Sequence, residues 1–247
     1  MIKRFIPHFF TAMNLFAGCL AAFFAFSHHF NAALFFVLLG VFFDFFDGFF
    51  ARMLDVESSF GVELDSLADL ITSGLVPAIT MYQLFLLSGV KSIDFSFSFF
   101  YDFSIVFTIA PLAMIAYSIT IGSAFRLAKF NLIREPLPYF RGLPTPANAL
   151  MIMGLPMLVR HPNLIEYKFV LLHPISLIFI CLLSVFLMNI HWKMFSLKPS
   201  GNAREMLFPI ILIMGATGIF IVFGLAAISG IVLLYIVLSV IKFLFKI

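Results

Sequence analysis

Long apolar runs, broken by short polar or proline-containing segments, set the pattern of this chain. An α-helix needs roughly 20 apolar residues to cross the hydrocarbon core of a bilayer. The pattern predicts eight such spans, over about 8–27, 31–54, 61–88, 104–131, 145–160, 170–190, 206–223 and 226–245. The third and fourth are separated by a polar loop with Lys91, Asp94 and Asp102. The fourth and fifth are separated by I-R-E-P-L-P-Y-F-R-G-L-P-T-P, rich in proline and basic residues. His28 and His29 interrupt the first two spans and read as an exposed turn rather than a metal site. The start, M-I-K-R-F-I-P, is basic, but the run after it contains Asn14 and leads into further spans. That predicts a retained first helix rather than a cleaved signal peptide. Neither a soluble domain nor a long linker is expected.

Composition agrees. Of 247 residues, 63% are hydrophobic and 11% charged, which excludes an ordinary soluble domain. The expected fold is all-α, a polytopic integral membrane helical bundle. The 36 Phe are expected to face lipid or pack between helices. Cys19 and Cys181 lie in apolar runs without metal spacing and imply no disulfide framework. The net charge of +3 says less than where the cations fall. With eight spans and the N-terminus inside, only Lys91, Arg160 and Lys168 fall outside. The other twelve Lys and Arg fall on the cytoplasmic side, a strong positive-inside bias. The expectation is a multi-pass protein of the cytoplasmic membrane with both termini inside. Nucleic-acid partners are not expected.

Against this apolar background, Asp44, Asp47, Asp65 and Asp69 stand out. The first two are three residues apart and the last two four apart, so each pair shares one helix face. Gly48 and Ala51 lie on or beside the first face, and Gly61 is four before Asp65. Small residues there let helix backbones approach closely, or admit a ligand. A charge at membrane depth costs about 2.5–3.5 kcal/mol on insertion scales and marks a functional interior. Four adjacent acids repel one another and call for a cation; hard oxygen ligands suit Mg²⁺ or Mn²⁺. The charge placement puts both pairs at the cytoplasmic ends of spans two and three.

Written as a pattern, D-x-x-D-G-x-x-A-R-x8-G-x-x-x-D-x-x-x-D resembles the signature of the CDP-alcohol phosphotransferases. It is met without departure by Asp44, Asp47, Gly48, Ala51, Arg52, Gly61, Asp65 and Asp69. These are integral membrane enzymes that transfer a substituted phosphate from a CDP-linked donor to an acceptor hydroxyl. The resemblance implies that residues 1–198, about six helices, form the catalytic domain and that 199–247 add two more. It also implies that the four Asp hold metal, with Asp69 as general base. Gly48, Ala51, Arg52 and Gly61 are implied at the CDP site, and a homodimer is implied as the assembly. Arg52 is also open to reading as a cytoplasmic anchor. Asn14 is open to two readings as well, a nucleotide contact or an interhelical hydrogen bond. Glu63 lies off the acidic face.

Three further segments are similar to the phosphatidylserine synthase branch of that family. They are F-R-L-A-K-F-N at 125–131, R-G-L-P-T-P at 141–146 and N-I-H-W-K-M-F-S-L-K at 189–198. Lys129 stands where the branch usually has Arg, keeping the charge. The resemblance implies CDP-diacylglycerol and L-serine as substrates, with phosphatidylserine and CMP as products. Arg126, Lys129 and Arg141 are the candidates for the serine carboxylate or the lipid phosphate. An acceptor such as glycerol 3-phosphate or an inositol phosphate is the alternative. A transporter is the remote one, but transporters place acids near the midplane, whereas these cluster toward one face.

Overall fold

The computed structural model describes residues 2–100, 103–132, 140–194 and 203–245. Helix α1 (Ile2–Phe26) turns through His28 and runs back antiparallel as α2 (Phe30–Met53). Many of their Phe side chains point outward, Phe5, Phe16, Phe23, Phe35 and Phe45 among them. This is the expected arrangement for helices that face lipid, where burial of apolar residues is not required. After a short loop, Ser58 caps α3 (Ser59–Asp69), its hydroxyl accepting the Gly61 N–H at 3.1 Å. Helical structure continues through a wide π-type segment (Leu70–Leu75) into α4 (Val76–Leu87). Pro77 gives this segment a cause: it has no N–H to donate to Ser73, and its ring crowds that carbonyl. α4 is the most enclosed of these helices, with Met81, Leu84 and Phe85 almost fully buried.

A β-hairpin follows, β1 (Ile93–Phe100) and β2 (Phe103–Ile109). This corrects the expected fourth span over 104–131: helical structure begins only at Pro111, and Pro111–Asn131 gives 21 residues. The physical reason is a two-residue alternation, Phe95, Phe97, Ile105, Phe107 and Ile109 with mostly Ser and Thr between, which suits a pleated strand. Asp94, expected in a loop, lies on β1 and accepts a hydrogen bond from Thr108 at 2.6 Å. Asp102 lies outside the described residues.

Helix α5 (Ser118–Asn131) packs on the later helix Pro174–Asn189, and the short β3 (Phe140–Arg141) leads into α6 (Thr145–Arg160). Helices α7 (Lys168–Leu171) and α8 (Pro174–Asn189) belong to two segments that meet at 87°. The short β4 (Lys193–Met194) pairs with β3. At this junction Gly142 has φ +67°, and a side-chain carbon there would lie 2.5 Å from the Met188 carbonyl oxygen and 2.9 Å from that of Ile190. Its N–H donates to the Trp192 carbonyl at 3.0 Å. Gly142→Ala is expected to cost more than about 2 kcal/mol, from left-handed backbone and overpacking together. The thermal midpoint of the purified variant checks it; an unchanged midpoint would reject this account.

Helices α9 (Ala203–Phe223) and α10 (Ala227–Phe245) close the bundle. They turn on Gly224, at φ +54°, and fold back on each other, so that Leu234 reaches Gly215 and Lys242 lies over the Phe208 ring. The apolar run Leu207–Leu244 is therefore two antiparallel helices. Among the described residues five stretches are long and apolar enough to cross a membrane, with Leu207–Leu244 counted as one, and a sixth if the bent pair counts as one span. That measure does not confirm the expected count of eight, because it takes Leu207–Leu244 as one stretch and leaves out α6, which has only 16 residues. The bundle has two distinct ends. Arg160 stacks on Phe30, and Gln83 donates to the Phe26 carbonyl at 3.0 Å, which puts the ends of α1, α4 and α6 together. The carboxylates lie at the other end.

Candidate active site

Helix α2 presents Asp44 and Asp47, and α3 presents Asp65 and Asp69, across a gap narrow enough for their side chains to meet. One carboxylate oxygen each from Asp44, Asp47 and Asp65 lies within 4.8 Å of the others. Asp69 joins them, its side chain reaching that of Asp44. One oxygen of Asp65 is buried with no hydrogen-bond partner. Three carboxylates this close, one with an orphaned oxygen, form a donor set that fits a hard divalent cation.

Helix α1 braces the cluster. Thr11 donates to Asp47 Oδ2 at 2.8 Å. Asn14, fully buried, donates to Asp69 Oδ1 at 3.3 Å and accepts from Thr72 Oγ1 at 2.8 Å. Thr72 sits in the π segment, and the close approach of three helices there depends on glycine. A side-chain carbon on Gly40 would lie 2.7 Å from Thr72 Cγ2, and one on Gly18 would collide with Thr72 Oγ1. Of the two readings open for Asn14, the interhelical hydrogen bonds are present, and its amide is engaged on both sides by protein groups; the nucleotide contact stays a proposal.

Beside the carboxylates opens a cavity of about 270 Å³. Its wall includes Asp47, Gly48, Ala51, Arg52, Gly61 and Asp65, so the four residues implied at the CDP site line one space. Asn14 lies off this wall. The Arg52 guanidinium folds over Gly48, with a nitrogen 3.4 Å from where a side-chain carbon would stand. Among the wall residues that sequence reasoning missed are His8 and Thr11 of α1. Their signal was available: His8, Thr11, Asn14 and Gly18 recur at three- and four-residue spacing along α1, a polar stripe on one face.

Arg126 on α5 lies on the far side of Asp69. Its Nη1 donates to Thr145 Oγ1 at 3.5 Å, its Nε is buried without a partner, and Asp69 and Tyr235 are its charged or polar neighbours. Lys129 is exposed. Arg141 has its backbone in β3, paired with Lys193, and its side chain lies outside the described residues. Asn131 ends the 125–131 segment and exchanges hydrogen bonds with Ser66, its Nδ2 donating to Ser66 Oγ at 3.0 Å. Ser66 stands between Asp65 and Asp69 on α3, so this segment is fastened directly to the carboxylate helix.

A family model described as CDP-alcohol phosphatidyltransferase matches residues 4–189, most of the chain. The chain belongs to that family. It is therefore a transferase of the polytopic membrane class, and the matched region spans α1 to the end of α8, with the cluster near its start. Several curated proteins are similar to it. One from Helicobacter pylori, named CDP-diacylglycerol–serine O-phosphatidyltransferase, is 31% identical over 242 residues, covering 97% of this chain and 91% of its own. One of the same name from Bacillus subtilis is 36% identical over 143 residues, covering 58% of this chain and 70% of its own. A Saccharomyces cerevisiae protein, again of that name, is 32% identical over 170 residues, covering 62% and 54%.

Proposed function

We propose that this enzyme transfers the phosphatidyl group of CDP-diacylglycerol to the hydroxyl of L-serine, giving phosphatidylserine and CMP. The observation that carries the proposal is the meeting, around Asp69, of the family carboxylates with the 125–131 segment through Asn131–Ser66 and Arg126. The names of the similar proteins support serine as the acceptor. In this reading Asp44, Asp47, Asp65 and Asp69 would hold Mg²⁺ or Mn²⁺, which when bound neutralises diphosphate charge. The nucleotide occupies the cavity walled by Gly48, Ala51, Arg52 and Gly61, where a guanidinium fork suits phosphate oxygens.

Asp69 accepts the proton of the serine hydroxyl, whose oxygen forms a bond to the phosphorus carrying diacylglycerol. The bond from that phosphorus to the bridging oxygen breaks, and CMP leaves with the electron pair. Arg126, held by Thr145, faces the serine carboxylate or the lipid phosphate, with Lys129 and Arg141 as further cations of the same end. The positive-inside pattern supports placing this end at the cytoplasmic face. There water-borne serine and a lipid-anchored donor reach the site together. The division at residue 198 is supported by the family match ending at 189, although Tyr235 of α10 also approaches Arg126.

The test is CMP release from CDP-diacylglycerol by the purified protein with Mn²⁺ or Mg²⁺, comparing serine, glycerol 3-phosphate and inositol phosphate. Serine-dependent, chelator-sensitive release is expected. Release that depends on one of the phosphorylated acceptors instead would overturn the acceptor assignment while keeping the carboxylate chemistry.

A further inference from the structure

The β1–β2 hairpin carries none of the residues placed at the site, and it makes no extended contact with any helix among the described residues. A two-stranded hairpin alone is marginal in water and needs a surface for its apolar face. Its register sorts the side chains cleanly. Ile93 opposes Ile109, Phe95 opposes Phe107 and Phe97 opposes Ile105, all on one face. Asp94 opposes Thr108 and Ser98 opposes Ser104 on the other; Ser96 shares that face with Val106, its one apolar member. On the apolar face the Phe95 and Phe107 rings stack at 5.5 Å, and Phe97 stacks on Phe107 at 6.2 Å. Even so, Ile93, Phe97, Ile105 and Phe107 remain exposed.

Both ends of the hairpin are tied to membrane-crossing stretches, α4 on one side and Pro111–Asn131 on the other. Its short linkers hold the base of the hairpin near the ends of those stretches. Exposed Leu112 and Met114, just after β2, continue the apolar surface toward the lipid-facing wall of the bundle. The hairpin shares an end of the bundle with the α4 C-terminus, opposite the carboxylates.

We propose that this hairpin is an interfacial anchor: its Ile/Phe face lies on the membrane surface, in the boundary layer between headgroups and acyl chains, while Asp94, Ser96 and Ser98 face water. The occupant is the lipid surface because that surface is continuous with the apolar wall beside the hairpin. Amphipathic segments with one apolar and one polar face bind at this depth. The inference rests on the membrane fold alone and stands whatever the acceptor.

The experiment uses the full chain in lipid vesicles, with Trp192→Phe to remove the native tryptophan. Single variants Phe97→Trp and Ser96→Trp then report the two faces. Phe97→Trp should emit at shorter wavelength and be quenched several-fold more by lipids brominated near the headgroup than Ser96→Trp. Aqueous iodide should reverse the order. Equal quenching of both variants, or iodide quenching of Phe97→Trp, would overturn the proposal. Shielding of Phe97→Trp from both quenchers, lost on dilution into excess lipid, would assign the face to a second copy and overturn it too. Ile105→Trp, on the partner position of the same face, serves if Phe97→Trp does not fold.

Discussion

Asp69→Asn is expected to lower serine-dependent CMP release by about 10²–10⁴-fold, the usual worth of a positioned general base. The amide copies the shape of the carboxyl, so the bundle should persist, and loss of one negative charge eases the crowding with Asp44 and Asp65. Asn14 donates to this residue and can keep doing so to the amide oxygen. The loss therefore falls on proton removal and on any share of cation binding, not on folding. Single-turnover CMP release, read beside retained binding of a fluorescent CDP-lipid, separates these. Full activity with normal binding would remove Asp69 as the base.

Asp65→Asn should move stability and activity in opposite directions. In chelator, the wild-type cluster holds three carboxyl groups, one oxygen of each within 4.8 Å of the others. Any two of them ionised together repel by about 3 kcal/mol at an effective dielectric of about 20. The buried, unpartnered oxygen of Asp65 adds to that. The variant should therefore melt higher than wild type in chelator, while losing most transfer activity. Mn²⁺ at about 100-fold over its Kd should raise the wild-type midpoint by about 5–10 °C and leave the variant nearly unmoved. Thermal unfolding followed with and without Mn²⁺ checks both halves. A variant that melts lower than wild type in chelator would show that the cluster is not under electrostatic strain. An unchanged response to Mn²⁺ would remove Asp65 from the ligand set.

Much of the site was legible because its chemistry is written at helical spacing. The three- and four-residue intervals of the acids, with Gly48 and Ala51 between, survive any uncertainty in where helices begin. What surrounds the acids was harder to read. Thr72 braces Asn14 only because a π segment turns it inward, and no simple 3.6-residue period through 59–87 carries that information. Ser66 was a small polar residue between two acids until Asn131, 65 positions later, was found bonded to it. Such long-range pairs leave no local trace. The hairpin is different: its alternation was present in the sequence, but high apolarity drew the expected fourth helix across it. Period, not hydrophobicity alone, separates strand from span.

The carboxylates all come from α2 and α3, whereas Arg126 and Thr145 stand on helices made later. That order has a consequence for biogenesis. At about 5–20 residues per second, the ribosome needs on the order of 4–15 s to travel from residue 70 to residue 145. During that interval four acids sit on a three-helix hairpin without the guanidinium that later faces Asp69. Newly inserted chains thus pass through a stage with a bare acidic notch at one membrane boundary, and divalent cations in the growth medium or cytosol would favour its survival before α5 and α6 arrive.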